Sequence, residues 1–356
     1  MKKNTLSASV LLAALCLATA VLAPVVSRAQ QTEQSTTEVS LDGDSTTTTA
    51  SKDSAMTADG ATMDSARTTG GSVSNGGGGP ESLAFDGTYL WVPRQFKNTV
   101  IRVRVSDGAK GSSVAVGKNP VAVLFDGSSV WVANLDSDTV TKVSARDASV
   151  LGTYSVGDGP GGLSYDGSNV WVANRNGNTV TKLRASDGVA LGTYAVGKRP
   201  VGVLCQGGNV WVANNFDDTV TKLRGSDGVA LGTYAVGDAP FGLAFDGVNV
   251  WATNFFAKSI TKLRASDGFA LGTYKVGNDP AGITYDGVYL LVANSGDNTV
   301  VRVRTADGAV IATFKTGKSP LGVISDGSYI WAANFGSDSV STTNTAAAST
   351  SGIAVQ

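Results

Sequence analysis

Residues 160–199 read PGGLSYDGSNVWVANRNGNTVTKLRASDGVALGTYAVGKR, and this stretch decides the fold. It holds four short runs, GLSY, NVWVA, TVTKLR and LGTYAV, with the two-residue alternation of half-buried strands. Asp166-Gly167 joins the first two runs and Asp187-Gly188 precedes the fourth. Asp-Gly supplies the positive φ that a tight hairpin turn needs. No run has helical spacing, and the turns leave no room for a helix.

Outward from this stretch the same unit recurs with a period of 40. Proline stands at 80, 120, 160, 200, 240, 280 and 320. Tryptophan stands at 91, 131, 171, 211, 251 and 331, which accounts for all six, and Leu291 fills the one gap. Four antiparallel strands per unit, seven times over, predict an all-β, seven-bladed β-propeller over residues 80–356. The seventh unit keeps Pro320, Trp331 and Asn334 and then loses the pattern. Ile353-Ala354-Val355 falls in register with LGTYAV, so the C-terminus is expected to supply the last outer strand. The competing closure, from the N-terminal side, is Ser72-Val73-Ser74.

The residues before the first unit are different material. Lys2 and Lys3, an apolar run over 6–23 and the small-x-small Ser27-Arg28-Ala29 read as a signal peptide, residues 1–29, removed on export. No later run approaches spanning length, so no stable membrane span is expected after cleavage. Residues 30–79 hold 19 Ser or Thr and no aromatic residue, too little apolar area to offset ordering entropy. They read as an acidic, disordered linker. With Cys16 removed, Cys205 is a lone thiol, and no intramolecular disulfide can form.

Composition excludes more than it proposes. The net charge of −1 gives no reason to expect a nucleic-acid partner. The absence of histidine removes the commonest general base and metal ligand, and every Ser-His or Cys-His nucleophile. Residues 157–162 match G-x-G-x-x-G, but no helix follows to receive a pyrophosphate. No catalytic residue, metal ligand or cofactor is therefore assigned.

Most recurrent residues are structural by this reading. The tryptophans pack blade on blade, the Asp-Gly aspartates form turns, and Asn134, Asn174 and their equivalents bond backbone in the following loop. A ring of those amides as a calcium site would want carboxylates as well. A third-strand ladder of cations (Arg102, Lys142, Lys182, Lys222, Lys262 and Arg302, with Arg104, Arg184, Arg224, Arg264 and Arg304 two residues on) is either a polyanion belt or a solvated flank that keeps sheet edges apart. A near-neutral body favours the flank.

The period, the proline and the second-strand motif also resemble the YVTN-type β-propeller repeat family. That motif stands as WVAN at 131–134, 171–174 and 211–214, WATN at 251–254, LVAN at 291–294 and WAAN at 331–334; the first unit departs with WVPR at 91–94. The resemblance implies an exported binding or surface protein. A neighbouring group similar in repeat pattern is the streptogramin B lyases, whose chemistry uses histidine, a residue this chain lacks.

Comparing units within the chain shows what the fold leaves free. The loop after the second strand changes almost completely: RQFKN (94–98), NLDSD (134–138), NRNGN (174–178), NNFDD (214–218), NFFAK (254–258), NSGDN (294–298) and NFGSD (334–338). The connection before each proline varies too, and strand alternation puts both sets at one end. Function on a repeat scaffold resides where such variation maps. The candidate patch is Phe216, Phe241, Phe255 and Phe256 with Lys198, Arg199 and Lys258; Arg94, Phe96 and Lys97 form a second one. The function expected is an exported, monomeric, non-enzymatic propeller that binds a protein, glycan or small ligand on this face. The alternatives are a histidine-independent lyase or metal-dependent lactonase-type hydrolase, and a surface-layer subunit.

Overall fold

In the third unit the strands Pro160–Tyr165, Asn169–Asn174, Thr179–Arg184 and Ala190–Ala195 pair antiparallel in chain order. Six such four-stranded sheets and a seventh, extended one form a seven-bladed β-propeller. The computed structural model describes residues 79–345 and the strands Thr36–Val39, Thr46–Thr47 and Gly70–Ser74. Among the described residues the only helical pieces are the 3-10 turns Gln95–Lys97 and Phe335–Ser337.

The ring closes from the N-terminal side. Gly70–Ser74 pairs antiparallel with Ser339–Asn344 and sets Val73 opposite Val340, which makes it the outer strand of the seventh blade. Thr36–Val39 runs parallel beside it, and Thr46–Thr47 follows. The strand expected from residues 353–355 lies outside the described residues, and the edge it was to cover is taken. The register sets Ser72 opposite Ser341 and Ser74 opposite Ser339.

The tryptophans are the core, as their lattice requires. Trp131 packs against Val170, Val172 and Leu183 of the next blade, and Trp171 against Val210, Val212 and Leu223. Their indole N–H groups need an acceptor when buried. The turn aspartates supply it. In Asp86, Asp126, Asp166, Asp246 and Asp326 one carboxylate oxygen accepts two backbone N–H groups, and the other accepts the tryptophan Nε1 five residues on, at 2.6–2.9 Å. Burial pushes the carboxyls of Asp126, Asp166 and Asp246 up, but these hydrogen bonds outweigh it and hold them below the ordinary carboxylate range. In the sixth blade, where Leu291 replaces tryptophan, Arg302 faces Asp286 at 3.7 Å instead.

The inner row of the cation ladder is neither belt nor solvated flank. Lys142, Lys182 and Lys222 are buried, each with its ammonium about 5 Å from the tryptophan ring of its own blade. Each Nζ donates to carbonyls of the next blade: Ala185 for Lys142, Gly225 for Lys182 and Ala265 for Lys222, at 2.6–2.8 Å. Lys262 does the same to Thr305. The long stem lies along apolar surface while the head clips neighbouring blades together. The outer row is neutralised locally, as Arg184–Asp187, Arg224–Asp227 and Arg264–Asp267 pairs.

The buried asparagines also depart from expectation. Asn174 Nδ2 donates to Thr179 and Thr181 Oγ1 on the third strand, at 3.0 and 2.9 Å. Asn214 makes the equivalent bonds, and its Oδ1 accepts the Gly197 N–H of the connection before its blade. Asn214 and Asn254 thus tie the connection before their blade to the sheet, whereas the Oδ1 atoms of Asn134, Asn174, Asn294 and Asn334 are buried with no hydrogen-bond partner.

Candidate functional site

The loop after each second strand and the connection before each blade meet at one end of the propeller. Arg175 N–H donates to the Gly159 carbonyl, Asn215 N–H to Arg199, Phe216 N–H to Lys198 and Phe255 N–H to Ala239. A framework of backbone hydrogen bonds therefore carries whatever side chains the variable positions hold.

On blades four and five those side chains come together in two groups. Phe241 opens the inner strand of blade five; its ring lies 6.1 Å from that of Phe255, which meets Phe256 edge-to-face at 5.3 Å. The Arg199 guanidinium covers the Phe216 ring at 4.7 Å from its centroid. Asn215 Nδ2 donates to the Pro240 carbonyl at 3.1 Å and links the blade-four loop to the start of blade five. Lys198 lies beside Asp217, whose carboxylate accepts the Lys198 backbone N–H at 2.7 Å. Phe216 and Phe256 are each 63 % exposed, whereas Phe241 and Phe255 are half-buried. Lys258 is exposed at the end of the same loop.

The second patch stands apart, three blades away around the ring. Phe96 is 78 % exposed on the 3-10 turn Gln95–Lys97, flanked by Arg94 and Lys97. Neither of the two patches includes the polar cluster that sequence reasoning missed. Arg175 reaches from blade three to blade one, where its Nη2 donates to Glu81 Oε2 at 2.8 Å, and Gln95 donates to the other carboxylate oxygen. Arg175 and Glu81, with Val121, Val201, Phe241 and Leu321, line a channel cavity of about 210 Å³. Gly161 is the clue that was legible: a Cβ there would lie 2.0 Å from Arg175 Nε. The inner wall is tight elsewhere, since a Cβ on Gly202 would stand 2.2 Å from the Phe241 carbonyl oxygen.

This face offers aromatic contact area edged by cations, with one ion pair inside the channel mouth. Among the described residues no three His, Cys, Asp or Glu side chains come together, and no helix is long and apolar enough to cross a membrane.

No family model matches the chain, and no curated protein matches it. The YVTN-type repeat resemblance thus rests on the motifs alone. Solved structures do align. A streptogramin B lyase shares 18 % identity with a TM-score of 0.65, over 75 % of this chain and 94 % of that one. The hydrazine synthase of Kuenenia stuttgartiensis shares 19 %, also at 0.65, over 77 % and 97 %. A catalytically inactive histidine-to-alanine variant of virginiamycin B lyase from Staphylococcus aureus, solved with quinupristin, shares 16 % at 0.68, over 78 % and 99 %. At such identities the likeness is one of fold, and the chain is similar to the streptogramin B lyase-like seven-bladed propellers.

Proposed function

We propose that this chain is an exported, non-enzymatic binding propeller whose variable face holds a protein, glycan or small ligand. Phe216, Phe241, Phe255 and Phe256 are its anchors, and Lys198, Arg199 and Lys258 edge them. One observation carries the reading: Phe216 and Phe256 stay largely exposed on a face where their partners Arg199 and Phe255 already hold them in place. The fold does not require rings there, since Asp136, Asn176, Gly296 and Gly336 occupy equivalent positions. Exposed rings held in fixed positions lose little entropy when a partner covers them.

Burying one such ring is worth roughly 1.5–3 kcal/mol, about a tenfold to hundredfold effect on affinity. Phe256→Ala and Phe216→Ala should therefore keep the wild-type thermal midpoint while retaining less of the partner from native envelope extract on the immobilised protein. Loss of stability on the order of 3–5 kcal/mol would make the rings packing elements and overturn the reading.

A further inference from the structure

The face opposite the variable loops departs furthest from its repeat at the fourth blade. At the end of the first strand the units carry Phe85-Asp86, Phe125-Asp126, Tyr165-Asp166, Phe245-Asp246 and Tyr285-Asp286, but the fourth carries Cys205-Gln206. Gly208 stands where other units have Thr, Ser or Val, and Gly225 where they have Val, Ala or Thr. All four departures line one cavity of about 490 Å³ between blades three and four. It is about twice the volume of two other cavities on this face, about 230 Å³ each, one of which adjoins Ser325 in the other unit that lacks the ring.

What the other blades put in this place identifies what would fill it. Tyr165 packs in the cluster of Trp131, and Phe245 in that of Trp211. Cys205 takes the same place in the cluster of Trp171, and its small side chain leaves a ring-sized space. The wall from blade three is polar. Asp166 is exposed here, whereas Asp126 and Asp246 are half-buried. Lys182 Nζ donates to the carbonyls of Gly225 and Ser226, which leaves an ammonium a third donor. The Asp166 carboxylate is already filled, by the Ser168 and Asn169 backbone N–H groups, the Trp171 indole and the Asn169 amide, so the Lys182 ammonium is the polar group of this wall left to meet a ligand. The Gln206 and Asn209 amides complete the rim.

We propose that this cavity is a binding site for a small phenolic molecule, whose ring takes the place that Phe or Tyr fills in other blades and whose hydroxyl oxygen accepts from the Lys182 ammonium. The site is separate from the aromatic face of blades four and five. Its ligand would be held by stacking and hydrogen bonds with no covalent step.

The probe is p-cresol, titrated into the full-length protein by NMR. Saturable binding with a Kd on the order of 1–10 mM is expected for so small a ligand, with nuclear Overhauser contacts from the cresol ring to the Tyr165 ring and the Val210 methyls that line the cavity. Cys205→Phe should weaken binding by about tenfold or more while the thermal midpoint stays level or rises. Phe256→Ala should leave it unchanged, which separates this site from the proposed partner face. Absence of saturable binding, contacts elsewhere without any to Tyr165 or Val210, or unchanged binding in a folded Cys205→Phe protein would each overturn the proposal. Should that variant fail to fold, the Overhauser contacts in the wild-type protein decide alone.

Discussion

Position 258 is a left-handed corner with φ of 55°, and the six other units fill it with Asn or Asp. Those residues tolerate that conformation because a short polar side chain bonds locally. In Asn98, Asp138, Asn178, Asp218 and Asn298 the side-chain oxygen accepts an N–H of the next connection, at 2.8–3.0 Å. Lysine has no acceptor, so blade five lacks this tie to blade six. Lys258→Asn should supply it and raise unfolding free energy by about 1 kcal/mol, read as a higher urea midpoint at constant slope. If Lys258 edges the binding face, the same variant retains less partner. An unchanged or lowered midpoint would show that the corner is already satisfied in another way.

At the scale of the strand, ring closure is the test case. Removing residues up to 74 should strip the outer strand from blade seven and leave the Ser339–Asn344 edge unpaired, with a lower thermal midpoint. Trimming 351–356 should leave the midpoint where it was; the opposite outcome would return closure to the C-terminus. The strand at Gly70–Ser74 was hard to read in the sequence because GGSVS holds one apolar residue and two glycines, too little for a strand signal. The third strand was read as a strand without difficulty, yet its lysines were misplaced. A cation that alternates with Val and Leu reads as the solvated side of a sheet. Only the packing shows that the Lys182 stem lies against Trp171 and that its head finds carbonyls 43 and 44 residues away. The Arg175–Glu81 pair was hidden by the same cause: Gly161, the one glycine in its row, marks a space, but no local pattern names a partner 94 residues away. The period, by contrast, was plain: proline, tryptophan and Asp-Gly each mark a backbone event within its own unit.

For the molecule as a whole, the charge inventory sets the response to acid. With no histidine, almost no ordinary side chain titrates between about pH 5 and 8, and the thermal midpoint should be nearly flat there. The Asp126, Asp166 and Asp246 carboxyls lie below their unfolded value of 3.8 in the folded chain. Their contribution is therefore complete above that value and is lost as pH falls through the lowered native values. Melting curves from pH 7 to 2 should show a plateau followed by a fall beginning below about pH 4; a step near pH 6.5 would contradict this. The aromatic face was legible at this scale because units of one chain serve as controls for one another. The order of synthesis adds a last consequence. Residues 70–74 leave the ribosome early, yet their partner strand is made some 265 residues later. Until then the first and seventh blades cannot be locked, and the growing arc presents an open seam at each end. Closing that seam is the longest-range contact of the ring and thus the slow, terminal step of its folding. Whatever keeps the nascent chain from pairing with a neighbour must act throughout that interval.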